Sequence, residues 1–390
     1  MNMGGEARLP LLRAASVLVG LSVCFLAGCG DFWQAPSGSS SSTTTTGPSS
    51  GYFYVLNQTT KQIAAYSIVS GTLTAVSGSP YALSATPTAI AISPSGNFLY
   101  VGTAAGIFLY NVGASGALTL GNNDVAISSD FATTMQIDST AGWLVEAGPN
   151  FAELLAIPIN SSTGVPTSTK EQTVQIPAAT VYQLAIAQNN SDVVLALGAS
   201  GTVEVPFTAG NSNPFGTVTD IKVFNSAGAA VSVAVDPQNR LFYVGETAAT
   251  SGTNSGGLRA FNLTTLAEVS GSPYATTGLA PYAIQPDVKG DYVYVANRTV
   301  SGSSNGNIAG FAVTTVGTTY SLTALTATVS TGVNPVSLAE DSEDNYLLVV
   351  DSGGNPDLEA YTMSAGALTS AVSSTTGSDP VGAAIIAAAP

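Results

Sequence analysis

The chain has 390 residues, 45% of them hydrophobic and only 8% charged, with 41 Gly and no His. Nine Lys and Arg stand against 24 Asp and Glu, a formal net charge of −15. That balance excludes nucleic acid as a partner, and the lack of His excludes His–Cys zinc sites, His-ligated haem and Ser–His or Cys–His catalytic pairs.

At the N-terminus, Arg8 and Arg13 precede an apolar run from Ala14 to Ala27. The run is shorter than the ~20 residues of a spanning helix, and it predicts a secretory signal over residues 1–28. It ends in Leu26-Ala27-Gly28-Cys29, which resembles a bacterial lipobox. The resemblance implies that Cys29 is lipidated and becomes the mature N-terminus, a durable attachment to the membrane. Gly30, rather than Asp, follows the Cys. By resemblance to enterobacterial sorting this implies the outer membrane, facing the periplasm or the cell surface. Residues 29–50 include "APSGSSSSTTTTGPSS", which has no apolar periodicity and predicts a disordered tether. Cys24 and Cys29 are the only cysteines, so no disulfide staples the body.

From residue 51 to 390 one rhythm repeats. Short runs rich in Val, Ile, Tyr and Phe alternate with Gly, Asn, Ser and Pro turns. The clearest run recurs as "YFYVLN" from Tyr52, "FLYVGT" from Phe98, "WLVEAG" from Trp143, "VVLALG" from Val193, "LFYVGE" from Leu241, "YVYVAN" from Tyr292 and "YLLVVD" from Tyr346. Periods near 50 residues with four strands each predict propeller blades. The fold class is therefore all-β, a seven-bladed β-propeller with four-stranded blades. The first unit lacks its opening strand, and "PVGAAIIAAAP" at the C-terminus matches "PTAIAISP" at Pro87. The C-terminal strand is predicted to join blade one and close the ring, leaving no open edge. The phrase "VSGSP", followed by Tyr81 and again by Tyr274, marks the same place in units one and five.

"NFLYVGT", "RLFYVGE" and "DYVYVAN", with the "GSPY" phrases and "AVDPQNRLFYV", resemble YVTN-type repeats and the seven-bladed lactonase superfamily, which includes 6-phosphogluconolactonase. The resemblance covers residues 51–390 and implies a lactonase-like hydrolase acting on a small sugar lactone. Family members are thought to use His, Arg and Glu. With no His, that set does not carry over, and enzymatic activity is left open. The residues by themselves point to a lipid-anchored extracytoplasmic scaffold that binds a ligand or a protein.

Candidate site residues are the polar ends of the second strands and their neighbours. Asn57, Lys61, Glu246, Asn297, Arg298 and Asp351 form the ligand-binding set. Within it, Glu246 or Asp351 is the candidate base and Arg298 or Lys61 the electrophilic partner. The bland alternative is that Asn, Glu and Asp there cap strand ends. Asp379 precedes the closing strand, and Tyr182 and Tyr282 stand where first strands begin, placed either to stack on a sugar or to pack. No metal is assigned. A calcium ion shared by Asn57, Glu246, Asn297 and Asp351 is disfavoured, because blades sit about 10 Å apart while calcium needs oxygens at roughly 2.3–2.6 Å. The acidic run "EDSEDN" (340–345) is expected to be a solvated turn. The expected partners are the membrane through Cys29 and a neutral glycan, a small lactone or an envelope protein, with the chain a monomer.

Overall fold

The computed structural model describes residues 51–149, 152–168, 170–222, 228–247, 256–353, 356–376 and 384–389. The predicted signal, the tether, Cys29, Asp379 and most of the loop after Glu246 lie outside the described residues. Seven antiparallel sheets follow one another along the chain. Their second strands are Tyr52–Asn57, Phe98–Thr103, Trp143–Ala147, Asp192–Ala196, Leu241–Glu246, Tyr292–Asn297 and Tyr346–Gly353. These starts fall within one residue of those read from the repeats. The only helix among the described residues is a short 3-10 turn, Asn122–Asp124. Blade five has three strands rather than the expected four. Its outer segment makes only the isolated bridges Phe261↔Glu268 and Leu258↔Tyr274.

The C-terminal strand Ala384–Ala388 pairs antiparallel with Tyr52–Asn57, in the register Phe53↔Ala388 to Asn57↔Ala384. The cores show the closure independently. Buried residues form seven apolar clusters, each shared by two neighbouring blades. One joins Phe53, Val55 and Tyr66 of blade one to Tyr346, Leu348 and Val350 of blade seven. An open arc of seven blades would have six such clusters. Low charge follows from this geometry, because both faces of every blade are covered.

In blades two, three, six and seven, a side chain at the start of the turn between first and second strands accepts from the amide that opens the second strand. Asp138 Oδ1 accepts from the Gly142 and Trp143 amides at 2.7 and 2.6 Å. Asp287 Oδ1 accepts from Tyr292 at 2.7 Å, and Ser93 Oγ from Phe98 at 3.1 Å. The run 340–345 belongs to this series: Ser342 and Glu343 at its tip are exposed, as expected of a solvated turn, but its base is not. Asp341 is buried and accepts from the Asn345 and Tyr346 amides at 2.8 and 2.7 Å. Glu340 is buried as well.

The two "GSPY" phrases also build one device twice. Ser79 Oγ accepts from the Ala65 amide and Ser272 Oγ from the Ala260 amide, at 2.8 and 3.3 Å. Tyr81 and Tyr274 each return a hydroxyl to the carbonyl four residues earlier.

Candidate functional site: the mouth of the central channel

The innermost strands of all seven blades line a central channel with a cavity at each end. One, of 690 Å3, lies where those strands begin. The other, of 510 Å3, lies where they end. The inner edge of each innermost strand would leave amides unpaired, and buried amides are nearly always paired. Side chains of the preceding blade meet that need. Gln136 Oε1 accepts from the Ile186 amide at 2.9 Å, Gln183 Oε1 from Val233 at 3.0 Å and Thr134 Oγ1 from Leu184 at 3.2 Å. Thr88 and Ser232 donate to the carbonyls of Ala132 and Pro281. The channel is therefore lined with amides and hydroxyls for an architectural reason, a pattern present in the sequence as "TMQI", "QLAI" and "AIQP".

The mouth owes its side chains to β-bulges. In blades two, five, six and seven the pairing of first with second strand skips one residue, at Thr88, Val231, Tyr282 and Val336. Three of these strands carry Pro in the place just before, where a missing amide proton weakens the ladder. A bulge re-aims the extra side chain, and all four of these residues line the mouth. Tyr282 thereby comes under Arg298, whose guanidinium carbon stands 3.6 Å from the ring centroid. The stacking is a cation–π contact.

Arg298 is half-buried and makes no ion pair with any described residue, and its Nε has no hydrogen-bond partner. Burial holds its pKa below the ordinary value, only partly offset by the Tyr282 phenol. It is the one cation among the described lining residues, and no described carboxylate lines this mouth. Around it stand Gln58, Thr88, Thr133, Gln183 and the rings of Phe131 and Tyr182. The Tyr182 ring rests on Gly198, whose φ of +62° and bare α-carbon leave room for it.

The other sequence-derived candidates stand elsewhere. Asn297, one residue before Arg298, is wholly buried. Its Nδ2 donates to Thr276 O and Asn307 Oδ1 at 3.0 and 2.8 Å, and its Oδ1 accepts from Thr276 Oγ1 at 2.8 Å. Asn57 Nδ2 donates to Thr376 Oγ1 at 3.2 Å. Glu246 is buried against Arg259, with Oε2 2.5 Å from Nε, and Arg259 Nη1 also reaches Glu268 at 2.6 Å. Asp351 is buried with neither oxygen hydrogen-bonded. Burial, and then Glu359, push its pKa up to about 8, and the Gly332 amide beside it donates to Glu359. Lys61 is exposed on the turn after the second strand of blade one. Of the six, only Arg298 lines the cavity. Strand capping accounts for Asn57 and Asn297. Among the described residues, no three acidic or Cys side chains are arranged to hold a metal ion. No described helix is long and apolar enough to cross a membrane.

Among the described residues, the opposite end of the channel carries one carboxyl, Glu340. Its Oε1 accepts from the Val288 amide at 3.2 Å, and burial above all pushes its pKa up to about 9.

Comparison with known proteins finds a family match over part of the chain. Residues 31–183 match the model of the lactonase family, seven-bladed β-propeller. No curated protein sequence matches the chain. Among solved structures, a provisionally named 6-phosphogluconolactonase from Bacteroides uniformis ATCC 8492 superposes with a TM-score of 0.67 at 14% identity, over 87% of this chain and 99% of that one. A second, from Bacteroides fragilis NCTC 9343, gives 0.64 at 15%, over 89% and 99%. The periplasmic gluconolactonase of Pseudomonas aeruginosa gives 0.64 at 14%, over 88% and 99%. Such identities establish a common fold. The chain is a seven-bladed β-propeller with the lactonase family's fold, and its residues 31–183 carry that family's sequence signature.

Proposed function

We propose that the protein is a lactonase-like hydrolase that takes a small, unphosphorylated sugar lactone at the channel mouth, with Arg298 as the electrophilic residue. One observation carries the reading. A single unpaired guanidinium, stacked on Tyr282, stands in a cavity whose described walls are otherwise neutral. Water attacking a lactone carbonyl puts negative charge on the carbonyl oxygen, and a fixed cation in a partly dry site stabilises that charge. Ring opening then leaves a carboxylate, which the same guanidinium can hold. A phosphorylated sugar is disfavoured, because a dianion calls for two or more cations. The family match and the gluconolactonases among the structural neighbours support the lactone class.

No described residue lining the mouth is placed to accept the proton from water. Catalysis would then rest on oxyanion stabilisation, worth about 10²–10³-fold from one donor. The test is turnover of glucono-1,5-lactone by the full chain and by Arg298→Ala. The wild type should exceed the buffer rate, and the variant should fall to it. A wild type no faster than buffer sinks the hydrolase and leaves a second reading, a propeller that binds a glycan or an envelope protein without turnover. That no carboxylate stands among the described lining residues favours that second reading. In either case we place the chain outside the cytoplasm, held to the membrane by lipid on Cys29, on the strength of Leu26-Ala27-Gly28-Cys29.

A further inference from the structure

We infer that the channel mouth recognises an acidic oligosaccharide, with the carboxylate of a terminal uronic acid on Arg298 and sugar faces on Tyr182 and Phe131. The inference rests on the mouth being the ligand site and names a larger ligand than a single lactone ring. The cavity measures 690 Å3, well inside the range of about 300–1,000 Å3 that holds drug-sized molecules of several rings. Its recognition groups are split between two walls. Arg298 and Tyr282 belong to blade six, while Phe131 and Tyr182 introduce blades three and four. The volume leaves room for two or three linked rings, which can use both walls at once.

The chemistry of each wall is specific. Tyr182 is 47% exposed and Phe131 39%, at the edge of a cavity whose other described walls mix amides and hydroxyls with a larger number of aliphatic side chains. Exposed rings beside such a cleft suit the C–H faces of sugars, which are apolar, while the amides and hydroxyls suit the sugar edges. On the far wall the guanidinium carbon stands 3.6 Å from the Tyr282 ring centroid and the group makes no ion pair with any described residue, which leaves it for a planar, singly charged carboxylate. A polyanion is disfavoured by the chain's net charge of −15. A neutral sugar would leave the guanidinium desolvated and unpaired.

The test is titration calorimetry of the full chain with a glucuronosyl disaccharide, the matching neutral glucosyl disaccharide and free glucuronate. The acidic disaccharide should bind at least about tenfold more tightly than either of the others, the worth of one charge-assisted hydrogen-bonded pair. In Arg298→Gln the preference for the acid should vanish while the neutral disaccharide binds at least as tightly as to wild type, because no guanidinium is then left desolvated, and that binding also shows that the variant is folded. Arg298→Lys should keep part of the preference. Tyr182→Ala and Phe131→Ala should weaken both disaccharides alike. Equal binding of the acidic and neutral disaccharides by wild type, no binding of either, or an acid preference that survives in Arg298→Gln would overturn the inference. Gluconolactone turnover in the same preparations reads the hydrolase proposal alone, so the two can fail separately.

Discussion

Single side chains join one blade to the next. In the second strands, Tyr54, Tyr100 and Tyr294 donate their hydroxyls to the carbonyls of Gly116, Gly164 and Gly366 in the outer hairpin of the following blade. Those glycines have φ of +75°, +73° and +81°, and a β-carbon on any of them would lie within 3 Å of the ring of Tyr52, Phe98 or Tyr292. The tyrosine written into "YFYV", "LYV" and "VYV" is thus an inter-blade latch. Glu146 is the opposite kind of residue, because it is buried with no donor on either oxygen. Burial first, then Asp130 and Glu171, push its pKa up to about 8. A carboxyl whose folded pKa is raised binds its proton more tightly in the folded state. Its contribution is therefore most favourable below the unfolded value, near 4.5, and is lost as pH climbs towards 8. Glu146→Gln should match wild type near pH 4 and gain on it by up to about 1.4 kcal/mol per pH unit between pH 5 and 8. Urea unfolding at pH 5 and pH 8 checks this, and an equal difference at both would refute it.

Strands carry the next level, and the last one matters most. The strand Ala384–Ala388 covers the edge of Tyr52–Asn57 through a five-residue register. Without it, that strand would offer its amides and carbonyls to any other chain. A chain lacking residues 381–390 should aggregate or lose its cooperative melt, as read by size-exclusion chromatography and calorimetry. A truncated monomer melting at the wild-type temperature would show that the strand is dispensable. The inner strands act differently, because their bulges decide what the channel sees. Tyr282 reaches the mouth since Pro281 pairs with Asn297 while Ala283 pairs with Ala296, leaving the residue between them extra.

The propeller is a ring of low charge density in a chain that carries a formal −15. That charge keeps it away from anionic surfaces, so attachment to a membrane would have to come from lipid. We expect Cys29→Ser to move the protein from the membrane fraction to the soluble fraction, with the wild type carrying acyl mass on Cys29. Wild type and variant fractionating alike would refute the anchor. At this scale the channel is also the one place where all seven blades meet, and so the natural seat for a ligand.

Blade number, blade boundaries and the closing strand were legible in the sequence, because each depends on local alternation repeated at a near-constant period. The missing first strand of blade one and the surplus strand at Ala384–Ala388 could be matched by pattern alone. Arg298 could be marked as a candidate in the same way. What only the tertiary structure decided was which polar residues face the channel. Asn297, the last residue of its strand, turns into the blade, while Arg298, in the bend just past the strand end, reaches the mouth. Glu246 could be chosen as a base from its place at a strand end. Only packing brings Arg259, thirteen residues on, to within 2.5 Å and commits the carboxylate to an ion pair. The repeat is written in short-range pattern, and the site is made by bulges and by contacts between blades, which that pattern does not encode.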